Sequence, residues 1–495
     1  MCRGDPLKLN DLPPFMTLPL PTVGDGLPRR VGVYRQLLGA IRTGQLAPGA
    51  RLPSARELAR AWTVPRGVVD NAFAQLVNEG LIERRVGSGS FVQTRLPQAA
   101  LRAQGAEPAL VSNDPVAAMP LLRPLATDIS SFPLAVWRRH VGRAMASADR
   151  SLLSYGAAGG LDTLRAAVAR YLRLTRSIDC APGQVLIVNS ALHAIDLIAQ
   201  VLLEPGARVA VEDPGFPGVS NVLRQARLNV VPVPVDAMGF DAEAAAQLAG
   251  DAAAIYLHPL NQYPTGWRTG AARRRALLEH ADGTGAWIIE GDHMAEIAPG
   301  GAAPPALWRS DRAGRVLYVG SFNGVMFPAL RLGFLLVPEA LVPVFSAVRG
   351  MLGDHSPVAM QAALASFIDA GQLSAHLRQL RSRYDSRRRA LLAAVARELG
   401  ERVRIGPTDA GIHACLHLPL TLPDHVVAAA LARRGVEVEA LSTLCSVPRG
   451  QHGLCHNGLV LGYGGNDEEE IARGVALIAQ VLGAMPAATG GPHAW

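Results

Sequence analysis

The alternation of apolar and polar positions divides the chain into two unlike parts. In the first, Val33, Leu37, Leu38 and Ile41 recur at helical spacing and Gly44 marks a stop. A second helix starts after Pro53. There Ser54 is placed as an N-cap, and Glu57, three residues on, completes a capping box. Leu58 and Ala61 supply the apolar face of that short helix. Thr63-Val64-Pro65 makes a turn, and a third helix presents Val68, Val69, Ala72, Phe73 and Leu76 before Gly80 ends it. Residues 81–85, 86–89 and 90–92 then read as strand, Gly-rich tip and strand. Helix, helix-turn-helix and hairpin in that order predict a winged helix-turn-helix over residues 25–95.

The second part has a different rhythm. Residues 96–125 repeat Pro and Ala with little periodicity and read as a semi-extended linker. Beyond them short β-branched runs (QVLIVN, ARVAVED, NVVPVPV, AAIYLHP, AWIIEGD, RVLYVGSF) alternate with helical patterns such as LDTLRAAVARYLRLT and ALHAIDLIAQVLLE. That alternation predicts an α/β domain over 126–490 with a mainly parallel sheet covered on both faces. The stretch from about Leu335 is helix-rich and then α+β, as for a smaller C-terminal lobe.

Composition narrows the class. A chain of 495 residues exceeds one compact core and suggests two or three domains. With 49% hydrophobic and 18% charged residues it has a soluble globular composition. No run of about 18 apolar residues appears and the N-terminus has no signal-like apolar core, so neither membrane nor export is expected. Five scattered cysteines without a C-x-x-C pair read as free thiols of a reducing cytoplasm, with no zinc site and no other metal site.

Charge is unevenly placed. Eleven arginines (29, 30, 35, 42, 51, 56, 60, 66, 84, 85, 95) face four acids (Glu57, Asp70, Glu79, Glu83) between 29 and 95, an excess of +7. The whole chain has the same net charge, so the remainder is balanced. Basic charge confined to one small segment is the footprint of a phosphate-binding surface, and double-stranded DNA is the expected partner. Arg66 opens the helix that would enter the major groove, and Arg56 sits where a backbone contact is natural. The tip Gly87-Ser88-Gly89 permits close approach to a phosphate, flanked by Arg84 and Arg85. The run LPSARELA, VPRGVVDNAFAQLVNEGLIERR and GSGSFV resembles the GntR superfamily of regulators. It departs from the family in carrying Pro65 and Gly67 beside the arginine, a change that bears on base preference.

In the second part SYGAAGGLDTLRAAVARYL, VNSALHAIDLIAQVLLEPGARVAVEDPGFPG, HPLNQYPTG, WIIEGDHMAEI and SFNGVMFPALRLGF occur in one order. Together they resemble the aminotransferase-like domain of MocR-type regulators, from Asp128 to the C-terminus. The resemblance implies the fold-type I architecture of aminotransferases that use pyridoxal 5′-phosphate (PLP), a head-to-tail homodimer, and the following site. The phosphate would lie at the turn holding Ala191 and Leu192, at a helix N-terminus, with Ser321 and Arg331. Phe216 would stack on the ring and Asp292 would hold its nitrogen protonated. His293 stands where a tyrosine is usual, and Tyr155 with Gly156 would reach the neighbouring subunit.

The family pattern places a Schiff-base lysine after S-F-S; this chain has Ser321-Phe322-Asn323-Gly324. Lys8 is its only lysine, so no catalytic residue and no covalent cofactor binding are expected. Val460 stands where catalytic aminotransferases place an arginine for the substrate carboxylate. The expected function is a DNA-binding regulator whose degenerate PLP-type pocket serves dimerisation and non-covalent sensing of a phosphorylated effector such as PLP. The alternative is a PLP-dependent aminotransferase with a fused regulatory domain.

Overall fold

A computed structural model describes residues 29–85, 87–94, 119–147, 152, 154–297, 304–353, 355–446 and 457–485. Lys8 and most of the segment read as a linker lie outside these residues, as do the outermost residues of both expected domains. The chain divides into two compact units between Ala117 and Ala118.

The N-terminal unit runs α1 (Arg29–Arg42), α2 (Ala55–Ala61), α3 (Arg66–Asn78), β1 (Ile82–Arg85) and β2 (Gly89–Val92). Its core gathers Val33, Leu37 and Ile41 of α1 against Val69, Ala72, Phe73 and Leu76 of α3. The capping box of α2 is formed: the Ser54 N–H donates to Glu57 Oε2 at 2.7 Å and the Glu57 N–H to Ser54 Oγ at 3.2 Å. Ala61, expected on the buried face, is exposed; Leu58 and Trp62 fill that role instead. The helix ends at Ala61, so the indole of the next residue swings into the core. β1 and β2 pair antiparallel, with Ile82 opposite Val92 and Arg85 opposite Gly89.

The larger unit is built on an eight-stranded sheet. Its strands are β3 (Val185–Val188), β4 (Arg208–Asp213), β5 (Asn229–Asp236), β6 (Gly239–Phe240), β7 (Ala254–Leu257), β8 (Trp287–Asp292), β9 (Val316–Ser321) and β10 (Gly333–Leu336). They lie in the order β3-β10-β9-β8-β7-β4-β5-β6. β9, β8, β7, β4 and β5 are parallel, whereas β10 runs antiparallel to both β9 and β3. Alternate residues feed opposite faces: Val209, Val211 and Ile289 enter one buried cluster, Ala210, Ile255 and Ile288 another. Both faces are therefore covered, as strands read as continuous apolar runs require.

Among the helices before and around the sheet are α4 (Leu134–Ala146), α5 (Asp162–Arg176) and α6 (Ala191–Leu202). A four-stranded antiparallel sheet forms the C-terminal lobe: β11 (Arg404–Ile405), β12 (His413–His417), β13 (Glu439–Ala440) and β14 (Gly458–Gly462). The last residues of the span read as linker are folded into that lobe. Leu121 bridges to Val436, and Leu122, fully buried, donates its N–H to Asn466 Oδ1 at 2.8 Å. Among the described residues no helix is long and apolar enough to cross a membrane.

Candidate functional site

Two surfaces collect the residues singled out in the sequence. The first is a groove of about 620 Å³ on the N-terminal unit, lined among others by Arg51, Ser54, Arg66, Arg84 and Gly89. Arg66 is the first residue of α3, is well exposed, and meets Asp70 one turn on at 3.3 Å. Gly87 and Gly89 have φ of +74° and +109°, which only glycine adopts without strain. At Gly89 a Cβ would lie 3.3 Å from Arg51 Nε. Arg51 thus joins the set, although sequence reasoning nominated only its neighbours; its signal was its place just ahead of the α2 start. Arg56 is exposed but does not line the groove. Strand alternation turns Arg85 to the opposite face of the hairpin from Arg84. There its guanidinium lies 4.7 Å over the Phe91 ring and pairs with Glu83.

The second is a cavity of about 190 Å³ in the larger unit. Its walls come from the carboxyl ends of parallel strands, the place where open α/β sheets bind ligands. Phe216 follows β4, His258 follows β7, Gly291 to His293 close β8, and Val319 and Ser321 close β9. Ser190 caps α6, its Oγ accepting the His193 N–H at 3.1 Å, so Ala191 and Leu192 bring a helix N-terminus to the wall. Ala191, Leu192, Phe216, Asp292 and Ser321 are thus brought together. Arg331 is not: it is exposed, in the left-handed region at φ +53°, and off the cavity wall. Tyr155 is 80% exposed and also apart. Val460 is fully buried on β14 beside Cys415 and Tyr263.

The expected role of Asp292 needs correction. Its Oδ2 accepts from Arg176 Nε at 2.6 Å and from the Tyr318 hydroxyl, both buried and both off the cavity wall. In the sheet Asp292 is opposite Gly320, while Gly291 is opposite the wall residue Val319. Successive side chains alternate faces, so position 291, not 292, aims into the cavity. A Cβ there would lie 2.6 Å from His258 Nε2 and 3.1 Å from the Tyr256 hydroxyl oxygen. These two groups occupy the room of a side chain. His258 Nε2 is 2.9 Å from the Tyr256 hydroxyl and its Nδ1 3.2 Å from Glu212 Oε2.

The electrostatics follow from burial. It opposes the charge on Arg176, but Asp292 and Tyr318 outweigh it and hold the guanidinium protonated. His293 and His413 are each pushed down to about 4, first by burial and then by neighbouring imidazoles or, for His413, against a bond to the Gln262 backbone. Among the described residues no arginine or lysine lines the cavity and no cluster suits a metal ion.

The class I and II aminotransferase fold implies PLP, and the residues present do not fit it in the usual manner. Its phosphate would find the α6 N-terminus and two serine hydroxyls but no cation. A helix terminus contributes about 2 kcal/mol at best, whereas burying an uncompensated ion costs several kcal/mol. No carboxylate at 291 meets the ring nitrogen. At Gly324, whose Cβ would lie 3.0 Å from His293 Cε1, no amine can form a Schiff base.

Comparison with known proteins agrees with both halves. Residues 126–444 match the family "Aminotransferase class I and II" and residues 29–92 "Bacterial regulatory proteins, gntR family". A Rhizobium meliloti protein, "Probable rhizopine catabolism regulatory protein MocR", is 32% identical over 91% of this chain and 92% of its own. The "HTH-type pyridoxine biosynthesis transcriptional regulator PdxR" of Corynebacterium glutamicum is 30% identical over 90% and 94%. Among solved structures, LysN, an alpha-aminoadipate aminotransferase from Thermus thermophilus, superposes with a TM-score of 0.66 at 25% identity, covering 78% of this chain and 97% of that one.

Proposed function

The chain belongs to the MocR-type regulators, which join a gntR-family winged helix to a class I and II aminotransferase domain, and on that premise we propose that it is a DNA-binding transcription regulator without aminotransferase activity. The observation that carries the DNA-binding half is the basic groove, where Arg51, Arg66 and Arg84 converge at the start of α3. In this reading Arg66 reaches a base edge, while Arg51, Arg56, Arg84 and the Gly87–Gly89 tip hold phosphates. Arg85, tied to Glu83 and Phe91, steadies the wing. The regulator works as a homodimer in the cytoplasm, setting two winged helices on paired half-sites. Tyr155, Met351 and Leu352, all strongly exposed, mark the face that the second copy covers.

The enzyme half is absent because the cavity offers no amine, no ring-nitrogen acid and no cation. A superposable aminotransferase favours the rival reading of a working transaminase; Gly324 and Gly291 oppose it. The deciding experiment selects duplexes from a random pool with the full-length protein and titrates the winner against variants. Arg66→Ala is expected to cost about 1–3 kcal/mol and relax preference at one position, and Arg84→Ala to lower the salt slope by about one. Equal affinity of Arg66→Ala and the native protein across sequences overturns the assignment.

A further inference from the structure

Among the described residues, two side chains of the cavity wall carry a buried polar atom with no hydrogen-bond partner: Asn261 Oδ1 and His413 Nε2. Both are acceptors. For Asn261 the amide nitrogen is already used, donating to the His293 carbonyl at 3.3 Å. For His413 the bond to the Gln262 backbone falls to the other ring nitrogen, whose N–H it consumes, so Nε2 carries the lone pair. Buried acceptors without partners are uncommon, and here two border one space.

The space itself is apolar and flat-walled. Phe216 and Tyr263 meet edge to face at 6.0 Å, and Leu192, Ile195 and Val319 complete the wall. At about 190 Å³ it is smaller than the ~300 Å³ at which pockets for drug-sized ligands begin. Asp292 is compensated by Arg176, and among the described residues no other carboxylate, arginine or lysine lines the wall, so none of them offers a free anion or a free cation a counter-charge.

We propose that this cavity binds a compact, uncharged ring compound bearing two or more O–H or N–H donors, in place of a phosphorylated aldehyde. The proposal rests on the reading of the chain as a regulator and names the class of its effector. The ring packs against the wall that Phe216 and Tyr263 form, and its donors satisfy Asn261 and His413. Imidazoles of His293 and His413 stay neutral on burial and leave their lone pairs available.

Calorimetry on the full-length protein tests it with four probes: pyridoxine, 3-hydroxybenzyl alcohol, PLP and inorganic phosphate. Pyridoxine carries no net charge and lacks the phosphate and the aldehyde of PLP, inorganic phosphate reports the phosphate alone, and 3-hydroxybenzyl alcohol is un-ionised near neutral pH, so the four probes together isolate the term at issue. The two uncharged probes are expected to saturate at least tenfold more tightly than PLP or phosphate, and Asn261→Leu to weaken them by tenfold or more. The native panel decides the matter even if that variant fails to fold. Tighter binding of PLP or phosphate, or no saturation by any probe, overturns the proposal. Operator titration of the same native sample is independent: its failure would overturn the regulator reading, whereas a silent ligand panel would remove only the effector class.

Discussion

At the scale of single residues, the proposed loss of chemistry rests on two glycines. Gly324 stands where the family resemblance places the nucleophilic lysine, and Gly291 leaves no acid aimed into the cavity, its space taken by His258 and Tyr256. With Lys8 the only lysine, PLP followed by borohydride is expected to label Lys8 or the N-terminal amine and no residue between 119 and 485. Peptide mass spectrometry checks this, and a phosphopyridoxyl group inside that range would restore a covalent site. Gly324 was singled out in the sequence as an expectation, because the lack of an amine is a matter of residue type. Gly291 was not: in Glu290-Gly291-Asp292-His293 the eye goes to the acid, and only strand register tells which of two neighbours faces the ligand side. Arg331 lies exposed and off the cavity wall, a placement that residue type alone does not reveal.

At the scale of elements, β8 and β12 bring together imidazoles that burial keeps neutral. His293 and His413 titrate near 4 when folded and near 6.5 when unfolded. Below pH 6.5 the unfolded chain takes protons that the folded chain refuses, so stability is fully present above 6.5 and falls steadily towards 4. The thermal midpoint is expected to drop over that window, and to drop less in His293→Phe. A midpoint unchanged from pH 7 to 4.5 would contradict neutral burial. Element prediction from pattern succeeded where local chemistry speaks alone. The capping box of α2 and the six β-branched runs all formed as read. It slipped where tertiary packing decides, as when Trp62 displaced Ala61 from the core and Leu121 and Leu122 left the expected linker for the C-terminal lobe.

For the whole molecule, two units of unequal size divide the labour. The small one carries the excess basic charge, and the large one supplies the fold of an enzyme as a platform. If the exposed face at Tyr155, Met351 and Leu352 joins two copies, Tyr155→Asp with Met351→Asp is expected to give monomers by sedimentation equilibrium. Operator affinity should then fall at least tenfold, because a single winged helix loses the gain of linked half-sites. A double variant that stays dimeric would move the interface elsewhere. The DNA-binding unit was readable from a short segment whose contacts are local. The cavity draws on seven stretches far apart in the chain, and their mutual register is a property of the fold.

The sheet order carries one more consequence. β3 is an edge strand held only by β10, and 148 residues separate the end of β3 at Val188 from the end of β10 at Leu336. A ribosome adding about 5–20 residues per second takes roughly 7–30 s to supply them. Throughout that interval the nascent segment Val-Leu-Ile-Val has no strand to join. Biogenesis of this chain therefore includes a waiting period in which this apolar edge strand lacks its native partner.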